Sequence, residues 1–202
     1  MAFPDGEDLD YLKRGTPVQR EVYHLIHRYA LCGMLRGYHP VLVGTVPLEL
    51  QIPGSDLDLI CEVHDFACFA DHLRRHFGHF PDFRLTRGQV LGVERMKANF
   101  LCENWPVEVF AQPIPVHRQN GYRHMMVEAR LLRLLGEDCK RAVIRLKQRG
   151  FKTEPAFALL LGLEGDPYLR MLELVDWSDE ELTAKFTSRF AGDKVDLSNM
   201  DK

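Results

Sequence analysis

The sequence predicts an α+β fold in which a mixed β-sheet core with flanking helices is followed by a C-terminal helical annex. The first part of the chain contains short apolar runs typical of buried strands, at residues 41–43, 57–61, 96–101 and 107–111. The part that follows Val116 has apolar positions at helical spacing only. Pro113 and Pro115 lie between the two patterns and mark their boundary.

We therefore expect three regions along the chain. They are a mixed-sheet core over residues 1–116, a helical annex over 117–190 and a disordered polar tail over 191–202. The annex helices are expected at 119–135, 139–149, 155–163, 167–175 and 179–189. Four of them have a favourable N-cap residue at the expected start, namely Asp138, Thr153, Asp166 and Ser178.

The core is expected to begin with a helix and a short strand. Thr16 is an N-cap residue and Pro17 suits the first helical position, so a helix starts here and ends near Gly37. The strand Val41–Val43 follows. The segment Val46–Ile52 has alternating apolar residues and is compatible with either an extended edge segment or a helical turn.

The rest of the core contains a helix between strands. The acidic strand Leu57–Cys61 is followed by a helix that Asp65 caps. Met96–Leu101 and Val107–Ala111 then form a hairpin around a short polar turn.

The composition limits the class of protein. At 202 residues the chain is 46% hydrophobic and 27% charged, as in soluble globular proteins. Its net charge of −3 argues against a broad nucleic-acid-binding surface. No apolar stretch approaches the ~18 residues of a membrane span, and the acidic start is not a secretory signal. The five cysteines form no C-x-x-C pair, which favours reduced thiols and a cytoplasmic protein.

Two carboxylates on the second strand predict a metal site. Asp56 and Asp58 lie at positions i and i+2, so both project from one face while Leu57 enters the core. They are about 6.6 Å apart along the strand at ~3.3 Å per residue and can share a divalent cation. Metal-assisted phosphoryl transfer needs such an arrangement.

Glu108 is the candidate for a third ligand. It lies between Val107 and Val109 in a strand, where an acid is costly to bury unless it is paired or metal-bound. Glu62 shares the face of the aspartates but lies about 13 Å beyond Asp58, too far to share an ion held at ~2.1 Å.

These residues resemble the signature of the polymerase-beta-type nucleotidyltransferase superfamily. That signature is Gly followed by Gly or Ser, a gap of about a dozen residues, an acid–apolar–acid strand and a third acid on a later strand. Gly44, Thr45, Asp56, Asp58 and Glu108 match these positions. Thr45 departs from the usual Ser but keeps the hydroxyl.

The similarity extends over most of the chain. It includes the segments YLKRGTPVQREVY, PVLVGTVPLELQIPGSDLDLICE, VEVFAQPIPVHRQNGYRHMMVEARLL and FKTEPAFALLLGLEGDPYL. Together they resemble one bacterial branch of the superfamily that is catalogued as a domain of unknown function. The resemblance implies a nucleotidyltransferase-like fold, a site for Mg²⁺ or Mn²⁺ and a nucleotide held between core and annex, but no substrate.

Several cations are candidate phosphate ligands. Arg123 follows the strand of Glu108 closely and is either a triphosphate ligand or part of a solvated helix face. Lys147 and Lys152 flank a predicted helix end at Gly150, where they either cap the helix or contact phosphate. Arg95 and Lys97 are expected to face solvent, although their alternation would allow them to lie beside Glu108.

The leading hypothesis is a metal-dependent nucleotidyltransferase that moves an NMP from an NTP to a hydroxyl acceptor. Asp56, Asp58 and Glu108 would hold the metal, and Gly44 and Thr45 would contact the triphosphate. The acceptor is a small molecule, a protein or an RNA end. Of these, RNA is the least compatible with the net negative charge of the chain. The alternatives are a non-catalytic nucleotide- or partner-binding protein with the same fold and a phosphate-ester hydrolase.

Overall fold

The structure, a computed structural model, describes residues 9–190. The tail predicted over 191–202 therefore lies outside the described residues. This range contains the helices α1 Asp10–Lys13, α2 Pro17–Arg28, α3 Leu31–Met34, α4 Phe66–Phe77, α5 Asn120–Gln148, α6 Thr153–Leu161, α7 Pro167–Glu173 and α8 Asp179–Phe186. It also contains the strands β1 Val41–Val43, β2 Leu57–Glu62, β3 Arg84–Val90, β4 Val93–Cys102 and β5 Trp105–Gln112. The predicted α+β class is confirmed.

The described strands form one mixed sheet in the order β1-β2-β5-β4-β3. Strands β2 and β5 run parallel, and the other neighbouring pairs are antiparallel. The predicted hairpin is formed by β4 and β5. The two acid-bearing strands are therefore direct neighbours, although α4, β3 and β4 lie between them in the sequence.

One face of the sheet carries the hydrophobic core. Alternate residues of β2, β4 and β5 are buried on this face, because side chains along a strand point to opposite sides. They pack with the apolar faces of α2 and α4 in a cluster that includes Val22, Ile26, Leu57, Leu59, Phe69, Leu73, Phe77, Ala98, Phe100, Val107 and Val109. The opposite face, called the polar face below, carries Asp58 and Glu108 in one row across the strands and the apolar pair Ile60 and Phe110 in the next.

The segment after β1 forms a turn, which resolves the ambiguity of the sequence pattern. Thr45–Glu49 turns instead of forming an edge strand, and Glu49 has a φ of 57° that ends any extended run. The side chain of Gln19 holds this turn, because its Nε2 donates to the carbonyl of Val46 over 3.0 Å. Gln19 itself belongs to the capping box that Thr16, the predicted N-cap, forms at the start of α2.

Most of the predicted N-caps are confirmed, but two are wrong: Asp138 lies inside α5, and Thr153 lies inside α6. Asp65, Asp166 and Ser178 each accept a hydrogen bond from a backbone N–H of the first helical turn. Thr153 was expected to cap α6 but is its first helical residue, and Lys152 occupies the cap position. The Thr153 hydroxyl instead accepts a hydrogen bond from Lys147 Nζ over 2.9 Å.

The helices expected at 119–135 and 139–149 form one kinked helix, α5. Gly136 marks the kink with a φ of 74° and a ψ of −165°, a conformation that glycine adopts without a steric penalty. None of the described helices combines the length and the apolar character needed to cross a bilayer.

The chain divides into two compact units. The first comprises the chain up to Glu49 together with Pro53–Tyr122, and the second comprises Leu50–Ile52 together with the chain from Arg123 onward. The division thus falls inside α5, a few residues after the expected boundary at 116. Within the second unit, Arg130 joins α5 to the segment before α8 by donating to the Val175 carbonyl over 3.0 Å and to Asp179 Oδ1 over 3.1 Å.

A buried acid lies in the second unit. Glu128 is 3% exposed, and its Oε1 has no hydrogen-bond partner. Desolvation by burial, reinforced by the charge of Glu154, raises the pKa of Glu128 well above 4.5, while Lys147 acts in the opposite direction. His124, also buried, contacts Glu154 Oε1 through Nδ1 over 3.3 Å.

Glu128→Gln is expected to stabilise the protein increasingly as the pH rises. A carboxyl with a raised pKa holds its proton more tightly in the folded state, so its stabilisation is complete below pH ~4.5 and is lost as the pH rises towards the folded pKa. Glutamine mimics the protonated form and avoids this loss. Thermal melts from pH 5 to 8 should show a growing advantage of the variant. The exposed Glu137→Gln on the same helix is the control and should show none.

Candidate active site

The sheet register places Asp58 beside Glu108. Asp58 of β2 is the partner of Glu108 in β5, and Glu108 is in turn the partner of Asn99 in β4. Adjacent strands lie about 4.8 Å apart. Leu57 and Leu59, the neighbours of Asp58, are each 1% exposed on the core face, so Asp58 lies on the polar face. Two carboxylates of distant sequence segments thus share one row of the sheet.

Asp56 lies at the entrance to this strand. It immediately precedes β2, is exposed and is separated from Asp58 by the buried Leu57. Within residues 9–190, no group of three or more His, Cys, Asp or Glu side chains is arranged to hold a metal ion. The convergence of Asp56, Asp58 and Glu108 on one ion therefore stays a prediction.

Gly44 lies directly against the carboxylate of Asp58. It ends β1 with a φ of 82°, and a Cβ built on it would lie 2.5 Å from Asp58 Oδ2. Both the backbone conformation and the available space therefore favour glycine over any residue with a side chain. This contact follows from the register, since Asp58 pairs with Val43, the residue before the glycine. It supplies a physical reason for the glycine in the sequence motif.

Thr45 supplies an unsatisfied hydroxyl next to this turn. Its Oγ1 is buried and has no hydrogen-bond partner. A buried hydroxyl without a partner is unfavourable by roughly 1–3 kcal/mol, so such groups in folded proteins call for an explanation. A ligand oxygen at this turn would satisfy it, which is consistent with the phosphate contact expected from the sequence.

Glu108 is held by two side chains of the neighbouring strand. Lys97 Nζ forms an ion pair with Glu108 Oε2 at 2.6 Å, and Asn99 Nδ2 donates to the same oxygen over 3.2 Å. The side chain of Glu108 is 23% exposed, and that of Lys97 is 43% exposed. In this state the negative charge of Glu108 is balanced by a cation of the protein itself.

These two partners of Glu108 were not assigned from the sequence. The sequence pattern favours a solvent-facing position for Lys97 and assigns no role to Asn99. The signal was present in β4, where Lys97 and Asn99 alternate with the buried Met96, Ala98 and Phe100. The pairing with β5 was needed to interpret it.

The three cations expected to bind nucleotide lie in different environments. Lys147 is only 7% exposed and donates to Thr153, so in this structure it has a buried structural contact. Lys152 is exposed at the start of α6. Arg123 is half-buried, and its side chain makes no hydrogen bond or ion pair within the described part of the chain. It follows Gly121 by two residues, and a Cβ built on Gly121 would lie 3.7 Å from Val43 and 3.8 Å from Ile60.

The donor atoms at the site suit a hard divalent cation. Carboxylate oxygens are the ligands that Mg²⁺ and Mn²⁺ prefer, and Asp58 and Glu108 place such oxygens side by side. Mg²⁺ commonly binds through one or two carboxylates and completes its shell with water and substrate phosphates. The unpartnered Thr45 hydroxyl adds a polar group on the adjacent turn.

The fold is shared with known nucleotidyltransferases. Three solved structures of Cid1 superpose on the chain at 11–12% sequence identity: the poly(U) polymerase with MgGTP bound (TM-score 0.51, 70% of this chain and 48% of that chain), a structure concerning its RNA terminal uridylyl transferase activity (0.52, 76% and 53%) and a further poly(U) polymerase structure (0.52, 81% and 56%). The chain thus spans about half the length of these proteins. At this identity the similarity demonstrates the fold alone.

Comparison at the level of sequence gives a family. No curated protein matches the chain significantly. A family model matches residues 24–174, which is most of the chain and includes Gly44, Asp58 and Glu108. The chain therefore belongs to the family described as a domain of unknown function, DUF4269.

Proposed function

We propose that this protein is a Mg²⁺- or Mn²⁺-dependent nucleotidyltransferase that moves an NMP from an NTP to a hydroxyl acceptor. The observation that carries the proposal is the contact between the Gly44 turn and the carboxylate of Asp58, which is the register partner of Glu108. A phosphate-binding turn and a metal-binding carboxylate need to be adjacent for this reaction.

The shared fold supports the reaction class. The Cid1 structures are of a poly(U) polymerase, one with MgGTP bound, and they share the sheet and flanking helices of this chain. The acidic motif was found in the sequence independently of any superposition. Fold and motif thus favour the same chemistry.

Each candidate residue has a role in this proposal. Asp56, Asp58 and Glu108 would hold the metal, which when bound neutralises phosphate oxygens and orients the reactants. Gly44 and Thr45 would bind the triphosphate through a backbone N–H and a hydroxyl. Glu108, whose other neighbouring strand is β4, would also accept the proton of the acceptor hydroxyl as a general base.

The proposed reaction conserves atoms and charge. The acceptor oxygen forms a bond to the α-phosphorus of the NTP in line with the leaving group. The bond from the α-phosphorus to the bridging oxygen breaks, and pyrophosphate leaves with that electron pair. The hydroxyl proton passes to Glu108 and then to solvent. The products are the nucleotidylated acceptor and pyrophosphate.

A labelling experiment tests this function. Purified protein is incubated with α-labelled NTPs, Mg²⁺ or Mn²⁺ and a cell extract, and labelled products are separated by size and by nuclease and protease sensitivity. Transfer of label that requires Asp58 identifies the acceptor class. RNA is the acceptor we favour least, because the chain has a net charge of −3. Absence of Asp58-dependent transfer to any fraction would contradict the proposal.

Arg123→Ala is expected to weaken NTP binding while leaving stability nearly unchanged. The Arg123 side chain has no hydrogen bond or ion pair within the described residues, so its loss removes no polar interaction of the folded chain. A phosphate contact is a charge-assisted hydrogen bond worth roughly 1.5–3 kcal/mol, about ten- to a hundredfold in affinity. Calorimetry with ATP and the other NTPs measures the effect. The matched control is the exposed Arg145→Ala on the same helix, and equal affinities in the two variants would exclude Arg123 from the site.

A non-catalytic nucleotide-binding protein is the second candidate. The ion pair between Lys97 and Glu108 favours it, because it satisfies the third acid without a metal. This candidate predicts that NTPs bind with the same affinity with and without Mg²⁺ and that no label is transferred. The proposed transferase predicts metal-dependent binding and transfer.

A further inference from the structure

The polar face of the sheet is divided by charge. Strands β2 and β5 contribute the acids Asp58 and Glu108 to this face. The neighbouring β4 contributes Lys97 and Arg95, which alternate with its buried residues. The outer strand β3 adds Arg84, the register partner of Asn99. The acidic half of the face is thus followed by a strip of three cations.

Of these three cations, only Lys97 forms an ion pair with a carboxylate among the described residues. Lys97 pairs with Glu108, which is also the carboxylate proposed to hold metal. The guanidinium of Arg95 lies 6.0 Å from the ring centre of Phe110, and its buried Nε has no hydrogen-bond partner. Arg84 is exposed, and its side chain makes no hydrogen bond or ion pair with another residue in the range 9–190. A buried guanidinium N–H without an acceptor is unfavourable, and an anionic ligand would satisfy it.

The position of the strip relative to Glu108 suggests what it binds. Asp58 and the Gly44 turn lie on one side of Glu108, and β4 lies on the other. The NTP is proposed to bind at the Gly44 turn. The acceptor hydroxyl must reach Glu108 from the remaining side, so the rest of the acceptor extends over β4.

We propose that Lys97 and Arg95, which lie two residues apart on the same face of β4, bind a phosphate group of the acceptor, which makes the acceptor a phosphorylated hydroxyl compound. This inference rests on the proposed function, because that function defines Glu108 as the group next to the acceptor. The Lys97 ammonium has three donors, so it can contact the acceptor phosphate while it stays paired with Glu108. Arginine pairs with phosphate through two parallel hydrogen bonds, and the exposed edge strand leaves room for such a group.

Binding without metal tests the site separately from catalysis. Backbone amide NMR spectra of the protein in EDTA are titrated with ribose 5-phosphate, with ribose and with a short oligoribonucleotide. Ribose 5-phosphate is expected to shift amides of β4 and β3 saturably, whereas ribose is not. Affinity for the phosphate probe should fall roughly tenfold or more in Lys97→Met and in Arg95→Met. It should be unchanged in the control Arg75→Met, an exposed arginine on α4.

Each outcome bears on the proposal. If the oligoribonucleotide also binds and the same variants weaken it, the phosphate belongs to a nucleic-acid acceptor, whereas binding of ribose 5-phosphate alone identifies a small molecule. Failure of both phosphate probes to bind, or equal binding in Lys97→Met, Arg95→Met and the parent, overturns the site. Lys97→Gln, which keeps a polar side chain at this exposed position, gives the same test if a methionine variant does not fold. Asp58→Asn should keep phosphate-probe binding in EDTA, so a loss of transfer in that variant bears on the proposed function alone.

Discussion

Asp58→Asn is expected to abolish the response of the protein to divalent cations and to reduce nucleotidyl transfer about a hundred- to a thousandfold. The residue lies between the Gly44 turn and Glu108, so it is the acid placed to connect metal and phosphate. Loss of a metal ligand removes several kcal/mol of transition-state stabilisation, and about 1.4 kcal/mol corresponds to a factor of ten in rate. Transfer of label from an NTP measures the first effect.

Thermal melts measure the second effect. In the parent protein, Mg²⁺ or Mn²⁺ at a concentration 100 times its Kd should stabilise the folded state by about 2.7 kcal/mol. In a chain of this size that corresponds to a rise in Tm of roughly 5–10 °C. Asp58→Asn should show no such rise. The control is Glu62→Gln on the same strand, whose carboxylate pairs with His64, and it should respond as the parent does. An equal response of Asp58→Asn and the parent would exclude this site.

Gly44→Ala is expected to disrupt both folding and the site. Alanine at a φ of 82° is strained by about 1–2 kcal/mol, and its Cβ would lie 2.5 Å from Asp58 Oδ2, so the carboxylate must move. We expect a Tm lower by roughly 2–8 °C and a loss of the metal response. Melts with and without Mg²⁺ measure both.

Gly54→Ala is the matched control for this substitution. Gly54 has a φ of 86°, and no heavy atom lies within 4 Å of a Cβ built on it. The Gly54→Ala substitution therefore introduces the same backbone strain as Gly44→Ala but no steric clash with a neighbouring side chain. Metal-induced stabilisation should persist in Gly54→Ala and be absent in Gly44→Ala. If both variants kept it, the contact between Gly44 and Asp58 would not support metal binding.

The local features of the molecule were predictable from the sequence because they depend on neighbouring residues. The capping boxes at Thr16 and Ser178 follow from side chains three residues apart. The β4–β5 hairpin follows from alternation around a short polar turn. The pairing of Asp56 and Asp58 with a preceding Gly-Thr turn was a sequence pattern as well, and so was the α+β class.

The sheet order and the charge balance at the site were decided by tertiary structure. The parallel pairing of β2 with β5 places Asp58 beside Glu108, although α4, β3 and β4 separate the two residues in the sequence. No local sequence pattern specifies that register. The ion pair of Lys97 and Glu108 depends on a second register, that of β4 with β5. The unpartnered hydroxyl of Thr45 depends on burial, which only the folded chain determines. By itself, the sequence determined which residues could carry the chemistry, whereas strand pairing and burial decided which of them meet and which charges are already balanced.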